Sequence, residues 1–224
     1  MKKFNNFLYL SFILLAIISC NGDDSNTSAK NPVACFINGV YDETGFVIAQ
    51  IKDSSTFRQS IVFPGASTPY EFPAGNQSVR FIEKNTGLDL FNISTNFSNG
   101  KNYSLVLCNK KSSLNAFVLQ NDVAIMDTNN TSIKFLNLIP NSNFDIFVNG
   151  TNATATNLGF TSYTNPVEVN PKVANSIVIR QTGSTIDLLS NKNFRGTAKK
   201  AFTIYLTGVL GGTPTPSMNF IAHN

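Results

Sequence analysis

The sequence predicts an all-β protein, two tandem β-sandwich units that follow an N-terminal address segment and a short tether. Three observations predict it. Short β-branched and aromatic runs are separated by Gly, Asn and Pro turns at about 8–12-residue spacing, the signature of a sandwich or barrel. A set of short motifs recurs once, 96 to 99 residues downstream, in the same order. No long amphipathic helical pattern follows Cys20.

Composition fits this class and excludes others. The 224 residues suffice for one or two domains, and 42% are hydrophobic, enough for packed cores. Only 13% are charged, against roughly 25% in ordinary globular proteins, so the polar surface is largely uncharged. Asparagine, with 30 residues, supplies much of it. Low charge with this apolar content argues against intrinsic disorder. Three cysteines exclude a disulfide-dense miniprotein and a Cys-rich zinc module. The one histidine, His223, adjoins the C-terminus, where it reads as a surface residue and a poor candidate for catalysis. The formal charge of +4 includes Lys2 and Lys3; without them 15 basic residues face 13 acidic ones, a net of +2. No basic run exceeds the pairs Lys110–Lys111 and Lys199–Lys200, so no nucleic-acid groove is expected.

The first element, residues 1–19, reads as a lipoprotein signal peptide. Lys2 and Lys3 form a positive start, and Phe7 to Ile18 is apolar except for Ser11. That run is shorter than the ~20 residues needed to span a bilayer, and suits an export signal. Its end, Ile17-Ile18-Ser19-Cys20, resembles a bacterial lipobox, with an aliphatic residue at −3, a small one at −1 and an obligatory cysteine. The Cys20 thiol would carry a diacylglyceryl group, and cleavage would leave Cys20 as the first residue. Two or more acyl chains anchor stably, at ~0.8 kcal/mol per buried CH₂. Residues 20–32 form a polar, flexible tether. Its Asp23-Asp24 pair resembles the surface-export signal of lipoproteins from the Bacteroidetes group.

The two units follow, at 33–127 and 128–224, joined at Asp127-Thr128-Asn129-Asn130-Thr131. Val33–Ile37, Ser78–Ile82 and Tyr103–Leu107 read as strands of the first unit, and Ser132–Leu136 and Ser176–Arg180 as strands of the second. The repeat rests on five matches. Phe36-Ile37-Asn38 returns as Phe135-Leu136-Asn137, and Pro69 and Pro73 as Pro166 and Pro171. Thr86-Gly87 returns as Thr182-Gly183, and Asn96-Phe97 as Asn193-Phe194. Tyr103–Leu107 returns as Phe202–Leu206. One larger sandwich whose halves share a core is the alternative, since so short a joint keeps the units in contact.

The same residues carry a resemblance. Ser132–Pro140, a strand ending in Asn-x-x-Pro, and then Phe144–Gly150, a strand with Asp-x-x-Val-Asn-Gly, resemble the opening of the domain-of-unknown-function 4397 family. Phe72-Pro73-Ala74-Gly75, Gly100–Ser104 and Ile204–Gly208 resemble its middle and late motifs. The resemblance covers most of 33–224, one motif set per half. The first half departs from it, with Tyr41 where Pro140 stands and Gly39 where Leu138 stands, and the second half has Pro171-Lys172 in place of the Ala-Gly turn. It implies immunoglobulin-like sandwiches on a cell-envelope lipoprotein, and it brings no catalytic residues.

Candidate chemistry is sparse. With Cys20 given to lipid, Cys35 and Cys108 remain as a pair in an oxidising compartment, a candidate disulfide; the alternative is two small buried apolar residues. Asp42-Glu43, Glu71, Glu83, Asp89 and Asp145 read as turn caps and strand-edge charges rather than a catalytic dyad. No Gly-x-Ser-x-Gly elbow or phosphate loop occurs, and no cofactor or metal site is expected. Nineteen Phe suit sandwich cores; the absence of Trp lowers a carbohydrate-binding reading. Tyr41, Tyr70 and Tyr163, near expected loops, are the candidate ligand contacts.

The expected protein is a lipid-anchored, outer-membrane envelope protein facing the cell exterior. It would serve as a non-enzymatic binding, adhesion or spacer module with a glycan or envelope protein as partner. A glycan-binding accessory of a polysaccharide uptake system is the alternative.

Overall fold

The computed structural model describes residues 30–43, 45–51, 58–121 and 127–223. The first half forms β1 (Val33–Val40), β2 (Val47–Ile51), β3 (Arg58–Ile61), β4 (Gly65–Ala66), β5 (Tyr70–Glu71), β6 (Gly75–Glu83), β7 (Asp89–Phe97), β8 (Asn102–Asn109) and β9 (Asn115–Gln120). The second forms β10 (Thr131–Asn137), β11 (Phe144–Val148), β12 (Ala155–Leu158), β13 (Val167–Val169), β14 (Asn175–Gln181), β15 (Asp187–Phe194), β16 (Ala201–Thr207) and β17 (Ser217–His223). Among the described residues the one helical element is the three-residue 3-10 turn Lys111–Ser113. The fold is all-β, as the turn-punctuated runs predict, and every run read as a strand lies within one.

The strands make four sheets, in the orders β4-β1-β8-β9 with β5 also on β1, β3-β2-β6-β7, β13-β10-β16-β17 and β12-β11-β14-β15. Among the described residues no strand pairs across the two halves. Each half is therefore a two-sheet sandwich. Its first strand lies parallel to a late one, β1 on β8 and β10 on β16, and the remaining pairs are antiparallel.

The halves repeat each other in hydrogen bonding as well as order. Phe36 N–H donates to Ser67 Oγ at 2.8 Å, and Phe135 N–H to Thr164 Oγ1 at 3.1 Å. Asn38 Oδ1 accepts from Val40 N–H, and Asn137 Oδ1 from Ile139 N–H, so one buried amide bends the chain at the end of each first strand. Arg80 bonds Asp89 at 2.6 Å and Arg180 bonds Asp187 at 2.7 Å, each where the hairpin register slips.

Three apolar clusters hold the body together. One, around Phe36, Phe81, Phe97 and Leu105, fills the first sandwich. Another, around Phe135, Phe144, Ile179 and Ile204, fills the second. The third lies between the sandwiches: Cys35, Ile37, Val106, Cys108 and Leu119 from one, Leu136, Leu138, Tyr205 and Ile221 from the other. It makes the body four sheets deep. Each buried Val, Leu or Ile contributes roughly 1.5–3 kcal/mol, so this seam rivals a small core. It also explains why β1 and β10 are buried at every position: alternate side chains enter a sandwich core and the seam. The two units thus keep separate cores and share a third.

Candidate functional site

Cys20, Asp23 and Asp24 lie outside the described residues. The tyrosines do not converge. Tyr41 is half-buried in the turn after β1, whereas Tyr70, on β5, pairs with Ala34 near the other end of β1 and packs on the first core. Tyr163 is 54% exposed on the loop between β12 and β13, with the Lys134 ammonium 5.2 Å from its ring centre.

The candidate disulfide is not formed. Both thiols are free and buried. In the parallel β1–β8 pair, Cys35 lies opposite Ser104 and Cys108 opposite Gly39. Four residues of offset separate them by roughly 13 Å along the strands, whereas a disulfide needs Cα atoms within about 7 Å. Cys35 Sγ instead meets Ser104 Oγ at 3.2 Å. Burial pushes the thiols up to about 11 at Cys35 and about 12 at Cys108, which leaves them protonated and unreactive.

His223 is likewise not the surface residue its terminal position suggests; it is 6% exposed. It closes β17 and reaches into the seam. The Asn121 amide donates to Ser104 Oγ at 2.8 Å and meets His223 Nδ1 at 3.5 Å, while His223 Nε2 meets Thr203 Oγ1 at 2.8 Å. With Nδ1 accepting, Nε2–H donates to Thr203, the neutral tautomer. Nearby, the Lys134 ammonium donates to the Gln120 carbonyl at 3.2 Å, also across the seam. These groups join the sandwiches rather than open to a ligand.

The loop ends of the two sandwiches differ. At the first, Lys111 gathers the acids. Its backbone N–H donates to Asp42 Oδ1, and its ammonium reaches Glu83 Oε1 at 2.7 Å and Glu43 Oε2 at 3.2 Å. Hydrogen bonds from Lys111 and then Thr86 hold the Glu83 carboxyl below the usual carboxylate range. Three of the acids read from the sequence as caps and edge charges, Asp42, Glu43 and Glu83, are thus drawn together by one lysine.

The corresponding end of the second sandwich is an open hollow of about 580 Å³, lined by Asn141, Ser142, Asn143, Phe160, Gln181 and Thr182. Buried Asn137 builds it, its amide donating to the Ser142 and Leu158 carbonyls at 3.1 Å each, so that residues 139–143 turn back on β10. Asn143 Nδ2 donates to Asn157 Oδ1 at 2.8 Å. Asp145 Oδ1 accepts from Asn157 N–H at 2.9 Å and from Thr182 Oγ1 at 3.0 Å, tying three segments together beneath the rim. Phe160 is half-buried, one side against the seam and the other on the hollow. Asn141, Asn157 and Thr161 have φ of 52°, 55° and 59°, and for β-branched Thr161 this left-handed conformation is strained. The loop that carries Tyr163 thus contributes Phe160 instead. Phe160 and the lining amides were missed in the sequence, where Tyr163 stood as the candidate on this loop, and the approach to β10 and β14 leaves no local signal.

Among the described residues no group of three or more His, Cys, Asp or Glu could hold a metal ion. Residues 35–143 match the family model described as domain of unknown function DUF4397, so the match runs through the first sandwich and into the opening of the second. No curated protein is a significant match in sequence. Among solved structures, a family CBM26 carbohydrate-binding module from Eubacterium rectale in complex with maltoheptaose is similar at 11% identity and a TM-score of 0.28, over 84% of this chain and 96% of that one. A cell adhesion protein candidate from Bacteroides fragilis is similar at 8% identity and a TM-score of 0.24, over 88% and 98%. Scores this low bear on neither the fold nor the function.

Proposed function

Residues 35–143 belong to the DUF4397 family, and from that premise we propose that the chain is a lipid-anchored, outward-facing envelope protein acting as a binding or adhesion module. The observation that carries this reading is the seam. Nine buried residues lock two sandwiches into one stiff body, with loop ends free to meet a partner. A stiff body spends little conformational entropy on binding and holds its loops in fixed positions. The lipobox at Ile17–Cys20, the polar tether and the Asp23-Asp24 pair support attachment and export. Glycans or envelope proteins are the partner classes.

The test uses cells carrying the native chain or its Cys20→Ser form. The native chain should take up labelled fatty acid, fractionate with the outer membrane and be cut by protease added to intact cells; the Cys20→Ser form should take up no label and keep residues 1–19. Fatty-acid labelling of the Cys20→Ser form, or none of the native chain, would overturn the lipid anchor. Protection of the native chain until the outer membrane is broken would overturn outward display.

A further inference from the structure

We infer that the hollow at the loop end of the second sandwich is a binding site for an uncharged saccharide. The inference rests on the reading of the chain as a binding module and names the chemistry of its ligand. Five of the six lining residues, Asn141, Ser142, Asn143, Gln181 and Thr182, carry uncharged amides or hydroxyls. The amides of Asn141, Asn143 and Gln181 offer donors and acceptors, as a sugar hydroxyl does, while the Ser142 and Thr182 hydroxyls, whose protons go to the Ile139 carbonyl and Asp145 Oδ1, are left to accept. The sixth, Phe160, supplies an aromatic ring against which the C–H face of a pyranose can lie. The volume falls within the roughly 300–1,000 Å³ of small-ligand sites.

Charge argues for neutrality of the ligand. No lysine, arginine or carboxylate lines the hollow. Asp145, just beneath, is engaged by Asn157 and Thr182. Arg180, next to Gln181 in the chain, bonds Asp187 and lies 4.5 Å over the Phe147 ring. An anionic or cationic ligand would lose water here without gaining a countercharge.

The first sandwich provides the internal comparison. Glu83 occupies the strand position that Gln181 occupies in the second, opposite Val47 as Gln181 is opposite Phe144. There the corner is cross-linked by Lys111. In the second sandwich the same corner is lined by uncharged side chains, open and framed by three left-handed residues. One repeat closes this end and the other presents it.

The experiment is affinity electrophoresis of the mature chain carrying Cys20→Ser, through gels containing starch, mannan, xylan or β-glucan, and through gels containing the uronic polysaccharides alginate and polygalacturonate. Binding of the same chain to intact bacterial and epithelial cells is measured in parallel. Gln181→Ala and Asn143→Ala, at exposed positions, test the hollow, with circular dichroism as the folding check; Gln181→Glu adds the charge of the first sandwich. The expected result is retardation by at least one neutral polysaccharide, weakened on the order of tenfold by each variant. Retardation that the variants leave intact, or retardation by uronic polysaccharides alone, would overturn the proposal. Cell binding without retardation by any polysaccharide would overturn the saccharide site and leave the binding module standing. Failure to bind either polysaccharide or cells would overturn both.

Discussion

Leu138 Cδ1 sits over Gly39, 3.1 Å from the point where a β-carbon on Gly39 would stand. The two residues occupy the same place in the two repeats, 99 positions apart, and they meet across the seam. The glycine that breaks the repeat in the first half is the hole that receives the leucine of the second. A β-carbon there would also stand 3.1 Å from Cys108 Cβ, so a large side chain has no room. Gly39→Leu should destabilise the body by roughly 1–3 kcal/mol through overpacking. Adding Leu138→Ala should return part of that loss. Urea denaturation of the two single variants and the double variant reads the coupling, and strict additivity would sink the contact.

His223 and Asn121 join the ends of the two halves inside the seam. Removing either side chain leaves a buried polar partner unsatisfied, a cost of about 1–3 kcal/mol. His223→Ala and Asn121→Ala should each lower the denaturation midpoint, and their double variant should lose less than the sum. A midpoint unmoved by His223→Ala would show that the C-terminal strand is not anchored there.

Much of this architecture was legible in the sequence, and the reason is local. Strand runs, Asn-Gly turns and the 96-to-99-residue repeat depend on neighbours in the chain, and Asn137 and Asn38 announce their equivalence by their flanking residues. The seam depends on which faces meet. Even so, Val33-Ala34-Cys35-Phe36-Ile37 is apolar without alternation, the pattern of a strand covered on both sides, so it carried a signal. His223 carried none: a terminal residue is buried only because β17 is the edge partner of β16. The hollow was not legible: its loop drew notice for Tyr163 rather than Phe160, and the register that sets Gln181 opposite Phe144 belongs to the folded sheet.

The Lys111 clamp makes the first loop end acid-sensitive. The Glu83 carboxyl is held below its ordinary value, so its contribution is present above that value and lost as pH falls through the lowered one. Lys111→Met should raise the Glu83 titration midpoint, read by the NMR shift of its side-chain carboxyl carbon. An unchanged midpoint would mean that the ion pair does not persist in solution.

The buried thiols make the body alkali-sensitive in the opposite sense. Burial raises Cys35 to about 11 and Cys108 to about 12, above the value of 9.0 for an exposed thiol. As pH rises past 9 the unfolded chain releases these protons first, so it binds fewer than the folded chain and stability falls. The slope is ~1.4 kcal/mol per pH unit for each thiol, and it continues until the folded thiols ionise. Stability measured by urea denaturation should therefore be flat in these groups below about pH 8 and drop above it, and Cys108→Ala should make the drop shallower. The same thiols should resist a disulfide reagent in the folded chain and react with it in denaturant. A reductant should leave the midpoint unchanged, because the parallel register that sets Cys35 opposite Ser104 gives it no disulfide to break. A midpoint lowered by reductant would show that β1 and β8 pair in another register.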